Sequence, residues 1–166
     1  MPDVYVSIGS NINREHNIPS GLNAMRQQFG DLLESSVYET NAVGFEGSPF
    51  YNLSVKFETT LAIVEIAWQL KQIEITHGRT RKSAKFSGRS LDLDILLYGD
   101  EVINSEKIKV PRDDILIYAF VLEPLAEIAP SQRHPVTQQN FATLWKNYDK
   151  TGLEQKIILP PWEYGL

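Results

Sequence analysis

Two carboxylates two residues apart, Asp92 and Asp94, stand in the run Gly88-Arg89-Ser90-Leu91-Asp92-Leu93-Asp94-Ile95-Leu96-Leu97-Tyr98. The run alternates as a strand does, so the acids share one face while Leu91, Leu93 and Ile95 share the other. This spacing sets the two acidic Cα atoms roughly 7 Å apart along a strand, and paired oxygens on a rigid support suit a hard divalent cation. Just upstream, Arg79, Arg81, Lys82, Lys85 and Arg89 lie in a stretch, 75–91, without a single acid. Cations for phosphate oxygens beside carboxylates for a metal are what a Mg²⁺–polyphosphate complex requires. The chemistry this predicts is phosphoryl-type transfer from a nucleotide. Taken alone, the same residues also fit a half-buried edge strand with a solvated face and a patch of surface charge.

The elements that must position these groups follow from periodicity. Residues 3–8 alternate and run into the turn Gly9-Ser10-Asn11, predicting a first strand. Leu22, Met25 and Phe29 predict a helix over 18–29, stopped by Gly30. Residues 32–38 read as a second strand, 39–49 as a loop, and 51–59 as a third strand with Tyr51, Leu53, Val55 and Phe57 facing one way. Thr60 is placed to cap a helix whose stripe is Ile63, Ile66, Ala67, Leu70 and Ile73. The Asp strand comes next, then a small hairpin near 101–103, helices around 119–128 and 139–148, and an extended tail at 160–162. The order strand–helix–strand–strand–helix–strand predicts an α+β, ferredoxin-like antiparallel sheet (βαββαβ) with its helices on one face and extra C-terminal helices. That fold decides nothing about activity.

Bulk properties narrow the function. The 166 residues predict a single domain, 1–166, large enough for a proper core. A net charge of −5 argues against a general nucleic-acid binder, so the basic stretch is local and suits a discrete anionic ligand. With no cysteine, disulfides, thiolate zinc sites and cysteine nucleophiles are excluded. No leader and no membrane-length apolar run is visible, so the expectation is a cytoplasmic monomer with neither membrane nor nucleic-acid partners. His16, His77 and His134 are not spaced as ligands.

Landmarks through the chain carry a family resemblance: Ile8-Gly9-Ser10-Asn11, Tyr38-Glu39-Thr40 with Gly44, Pro49-Phe50-Tyr51-Asn52, Glu74 with Gly78-Arg79-Thr80-Arg81, and above all Arg89-Ser90-Leu91-Asp92-Leu93-Asp94. Val110-Pro111, Phe120-Val121-Leu122-Glu123-Pro124-Leu125, Ile128-Ala129-Pro130 and His134-Pro135 follow in order. On these the chain resembles the 6-hydroxymethyl-7,8-dihydropterin pyrophosphokinases of folate biosynthesis. The resemblance implies transfer of pyrophosphate from ATP, the co-substrate, to the hydroxymethyl oxygen of a reduced pterin, with AMP released. It implies two Mg²⁺ ions on Asp92 and Asp94, and catalytic arginines at Arg79 and Arg89. It also implies an ATP site including Glu74, Arg81, Lys82, Ile95 and Arg112, and a pterin site of Thr40, Val43, Gly44, Phe50, Asn52 and Phe120. Read from residue type alone, Phe50 and Phe120 are equally ordinary core aromatics, and Glu74 a surface carboxylate.

Departures gather on the nucleotide side. Arg112-Asp113 stands where the family usually has His-Tyr, and Tyr118 where a basic residue is frequent. Asn41-Ala42 replaces a common Pro-Pro, releasing two fixed φ angles. These predict altered or weaker ATP binding in an active enzyme. The competing readings are a non-catalytic pterin- or nucleotide-binding homologue and, further off, an RNA-binding module using the sheet.

Overall fold

A computed structural model describes residues 1–41, 47–78 and 90–164. In chain order the elements are β1 (Asp3–Ser10), α1 (Arg14–Phe29), β2 (Leu33–Glu34), β3 (Val37–Thr40), β4 (Phe50–Glu58), α2 (Ile63–Thr76) and β5 (Asp92–Tyr98). They continue with β6 (Ile103–Asn104), β7 (Lys109–Val110), α3 (Asp114–Ile117), α4 (Ala119–Ile128), α5 (Phe141–Lys146), β8 (Lys156–Ile158) and α6 (Pro161–Tyr164). The main sheet runs β5-β1-β4-β3-β8, with β2 also on β4, and the named pairings are antiparallel. The architecture is therefore α+β, as the strand–helix order predicts.

Alternation along the strands builds two cores. Val4, Val6, Ile8, Leu53, Val55 and Phe57 turn to one face, where Ile18, Leu22 and Met25 of α1 and Ile66, Leu70 and Ile73 of α2 close over them. The opposite face receives Tyr5, Leu96 and Leu97, which pack with Val121, Leu122 and Leu125 of α4, Ile115, and Phe141 of α5. The two crossover helices thus share one face, and the added C-terminal helices cover part of the other; the expectation of helices on a single face is corrected accordingly. One face of a five-stranded path with this many apolar residues needs its own cover.

Boundaries differ where periodicity gives no signal. α1 starts at Arg14, four residues before the expected start, because its first turn is polar and carries no core residue. The expected second strand is split into β2 and β3 around Ser35-Ser36: Ser35 Oγ donates to Ser36 O at 2.8 Å and accepts from Ser54 N at 2.9 Å, while Ser36 Oγ donates to Glu127 Oε2 at 3.0 Å. Thr60 does not cap α2. Ala62 holds that position without a side-chain bond, and Thr59 Oγ1 accepts from Leu61 N at 3.0 Å instead. The anticipated extended tail is also wrong: β8 pairs with β3, α6 follows it, and Trp162 packs on the first core.

His134 illustrates a buried polar group fully used by the fold. It is 3% exposed, and its Nδ1 accepts from Val136 N at 3.1 Å and Thr137 N at 3.2 Å. Burial lowers its pKa below the ordinary 6.5. The unfolded chain then binds more protons below pH 6.5, so this contribution to stability is complete above 6.5 and declines as pH falls towards the folded-state value. Denaturant unfolding at pH 7.5 is expected to show His134→Ala destabilised by about 1–3 kcal/mol, with the gap to the parent narrowing at pH 5. A gap independent of pH would contradict the neutral buried imidazole.

Candidate active site

The apolar half of the Asp strand does the placing. Leu91 is 1% exposed and Leu93 5%, both within the core under α1 and α2. Gly21 of α1 makes room for Leu91: a Cβ there would come within 2.7 Å of its Cδ2. Burying each leucine is worth about 1.5–3 kcal/mol, and burying an ionised aspartate in its place would cost more still. Asp92 and Asp94 are therefore forced onto the other face, where both remain half-buried. The β1–β5 register slips by one residue between Tyr5 and Val6, leaving Leu96 as the extra residue beyond the acids.

Neighbouring strands set the floor beside these carboxylates. Asp92 pairs with Gly9, and Gly9 with Asn52; Asp94 pairs with Ser7, and Ser7 with Ser54. All six positions fall on one face, so Gly9 lies between an acid and an amide. It has no side chain to fill that gap. A Cβ on Gly9 would sit 2.9 Å from Asn52 Oδ1 and 3.7 Å from Phe50 Cδ1. Asn52 is 5% exposed and its Nδ2 donates to Thr40 Oγ1 at 2.8 Å, which fixes the amide plane with Oδ1 over Gly9. Phe50 opens β4 on this same face and is half-buried.

Two hydrogen bonds tie the acidic strand to its surroundings. Ser10 Oγ donates to Ser90 O at 2.6 Å, holding the approach to β5 against the end of β1. Leu93 N, between the two acids, donates to Glu74 Oε2 at 2.9 Å. Glu74 thus satisfies a main-chain donor on the outer edge of β5. Its sequence position, four residues after Leu70, is compatible with facing the site, but this bond was not foreseeable.

Arg112 reaches the acids from the segment after β7. Its Nε donates to Asp114 Oδ2 at 3.0 Å and its Nη2 lies 3.7 Å from Asp94 Oδ1. Burial works against its charge, but Asp94, Asp114 and Asp92 outweigh burial and hold the guanidinium pKa above its ordinary value. Asp113, beside it, has a side chain 65% exposed and paired with Lys109 at 3.2 Å. Asp114 is the residue that sequence reasoning missed; its spacing of two from Arg112 was the available signal.

On the far side, α4 brings Phe120 to the rim. Tyr118 stacks on it with ring centroids 4.9 Å apart. A cavity of about 260 Å³ adjoins them, lined by Thr40, Asn41, Tyr118, Phe120, Tyr148 and Gln155 among others. The stretch before β8 forms one wall of it. Asn41 Nδ2 donates to Glu154 Oε2 at 2.9 Å, and Gln155 Nε2 donates to Glu123 Oε1 at 2.6 Å and to Ala119 O at 3.1 Å. Those contacts tether the end of β3 where the expected Pro-Pro is missing. Val43, Gly44, Arg79, Arg81, Lys82 and Arg89 lie outside the described residues. Ile95 turns to the first core rather than to the acids, so any nucleotide contact at that position falls to its main chain.

The donor chemistry fits a nucleotide-linked divalent ion. Among the described residues no group of three or more His, Cys, Asp or Glu could cage a metal. Mg²⁺ is commonly held by one or two carboxylates together with substrate phosphates and water, so the half-buried pair Asp92 and Asp94 matches that habit.

A family model described as 7,8-dihydro-6-hydroxymethylpterin-pyrophosphokinase matches residues 5–130. The chain is 35% identical over 161 residues to the Bacillus subtilis 2-amino-4-hydroxy-6-hydroxymethyldihydropteridine pyrophosphokinase, covering 92% of this chain and 95% of that protein. It is 36% identical over 146 residues to the Pneumocystis carinii folic acid synthesis protein, covering 86% of this chain but only 20% of the relative. A crystal structure of Plasmodium falciparum HPPK-DHPS aligns with a TM-score of 0.71 at 15% identity, over 89% of this chain and 44% of that one. At that identity the likeness speaks to fold alone. This chain thus spans less than half of the two longer proteins and nearly all of the bacterial one.

Gly9→Ala is expected to lower unfolding stability by about 1–3 kcal/mol through the forced shift of Asn52. In a double-mutant cycle, Gly9→Ala on an Asn52→Ala background is expected to be markedly milder. Additive effects would show that the two residues do not share the floor.

Proposed function

Because this chain belongs to the 7,8-dihydro-6-hydroxymethylpterin-pyrophosphokinase family, we propose that it transfers pyrophosphate from ATP to the hydroxymethyl oxygen of 6-hydroxymethyl-7,8-dihydropterin, releasing AMP in folate synthesis. The observation that carries this is the strand Asp92–Tyr98, seated so that Asp92 and Asp94 share one sheet face with Gly9 and Asn52. The non-catalytic alternative is not favoured. A chain without catalysis has no chemical need for both aspartates together with both Arg79 and Arg89.

Asp92 and Asp94 would hold two Mg²⁺ ions. When bound, such ions neutralise the triphosphate and acidify the pterin hydroxyl. The protein's own groups orient the reactants around them. Phe50 and Phe120 offer aromatic faces to the flat pterin, and Asn52, held by Thr40, presents an amide to its edge. Val43 and Gly44 are assigned to the same side by resemblance. Attack on the β-phosphorus lets negative charge grow on the oxygen that leaves with AMP. Arg79 and Arg89, again by resemblance, are assigned to that oxygen and its neighbours, stabilising the transition state beyond the ground state. Arg81, Lys82, Ile95 and Arg112 complete the nucleotide side in this reading, and Glu74 fixes the pitch of the acidic strand through Leu93 N.

The same reading takes β1–α1–β3–β4–α2–β5 as a ferredoxin-like core. Its order β5-β1-β4-β3 and the shared face of α1 and α2 support it. We take the chain to act as one domain and a monomer in the cytoplasm. Among the described residues no helix is long and apolar enough to cross a membrane.

AMP release from MgATP and the hydroxymethyl pterin tests the activity directly. Turnover is expected in the parent and not in Asp94→Ala; equal rates in both would refute the assignment. Arg89→Ala is expected to lower kcat about 100-fold or more with little change in pterin affinity. Parallel loss of both would remove its transition-state role.

A further inference from the structure

Arg112 occupies the position where the family resemblance expects histidine, and its guanidinium is shared between two carboxylates. Nε donates to Asp114 Oδ2 at 3.0 Å while Nη2 stands 3.7 Å from Asp94 Oδ1. Its main-chain N–H donates to Leu96 O at 3.0 Å, so the base of the side chain is pinned to the bulged end of β5. The arginine can therefore pivot but cannot leave. Asp92 also contributes to the field that keeps it charged.

We propose that Arg112 is an internal counter-cation of the acid pair: it holds Asp94 until a divalent ion displaces it, and Asp114 then retains it beside the nucleotide phosphates. This rests on Asp94 being a metal ligand, as assigned above. Three physical points support it. A carboxylate oxygen facing a guanidinium has its lone pairs partly committed, and the guanidinium's charge repels a second cation at close range. The Asp94 contact is long and both side chains are more than a third exposed (39% and 37%), so it is weak enough to be displaced. The Asp114 contact is short and orients the fork, so an arginine released from Asp94 meets phosphate oxygens with its Nη groups free to donate.

Two consequences follow. Divalent ions bind poorly to the nucleotide-free protein, because an ion at Asp94 must first displace Arg112. Metal and nucleotide also bind with positive coupling, since a phosphate re-pairs the arginine that the metal has displaced, and that coupling is reciprocal. A histidine at this position is neutral at physiological pH for most of the time and would oppose the metal far less.

Mn²⁺ binding, read from the free-ion EPR signal on the intact protein with and without a non-hydrolysable ATP analogue, tests the idea. Arg112→Gln is expected to tighten Mn²⁺ binding to the nucleotide-free protein about 2- to 5-fold and to reduce the factor by which the analogue improves it. Arg112→Met is a second variant with the same expectation, and melting temperatures report that each is folded. Arg112→Lys, which keeps the charge, should resemble the parent. Lys109→Gln removes an equal charge from the exposed pair with Asp113 and should leave Mn²⁺ binding unchanged. Unchanged or weaker Mn²⁺ binding in folded Arg112→Gln and Arg112→Met overturns the proposal, as does an equal gain in Lys109→Gln. Asp94→Asn separates the two levels. If parent and Asp94→Asn bind Mn²⁺ alike even with the analogue, the metal assignment falls and this inference with it. If only the parent binds and the Arg112 variants match it, this inference alone falls.

Discussion

Leu91 and Leu93 can be buried only between the sheet and the α1–α2 layer, and that single demand decides which way Asp92 and Asp94 turn. A one-residue slip of β5 would exchange the faces, driving two carboxylates into the core and two leucines into water. The register is thus held by the hydrophobic effect on one side while the chemistry is displayed on the other. Gly21 strengthens the hold by letting Leu91 approach the helix closely, and Glu74 adds a main-chain contact at the strand's open edge. The cost of burying the carboxylates keeps them on the far face. Their apolar neighbours hold the near one.

The same sheet face that displays the acids is left low by Gly9 and bounded by Asn52 and Phe50. The missing side chain at Gly9, beside the paired carboxylates, leaves space between Asp92 and Asn52. Electrostatics then arranges the rest. The protein is acidic overall, yet five of its sixteen Lys and Arg lie in the acid-free stretch before β5, and Arg112 stands beside Asp94. A polyphosphate is attracted locally by a molecule that would repel a nucleic-acid strand over most of its surface.

Much of this could be read from residue order, and the limits of that reading are physical. Strands with strict alternation, such as β1, β4 and β5, declare both their existence and their faces, because a half-buried sheet requires it. The α4 span Ala119–Ile128 is equally plain from its dense apolar content. Polar first turns are silent, so α1 begins earlier than its stripe. Short edge elements are silent too: β8 and α6 owe their form to pairing with β3 and packing of Trp162, contacts far away in sequence. Within the site, residue type and spacing marked Asp92 and Asp94, the family resemblance added Asn52 and Thr40, and the fold brings the last two into a hydrogen bond. What stayed hidden were relations between elements. The Glu74 bond to Leu93 N, the Asp114 hold on Arg112 and the Gln155 bridge to α4 each join segments that no periodicity links.

The account stands on Asp92 and Asp94 recruiting divalent ions to a nucleotide, and calorimetry addresses that with one ligand and two conditions. A non-hydrolysable ATP analogue titrated into the protein should bind well with Mg²⁺ and poorly after chelation, and Asp92→Asn/Asp94→Asn should abolish the difference. Equal nucleotide binding with and without Mg²⁺, or a Mg²⁺ effect that survives loss of both carboxylates, would contradict it.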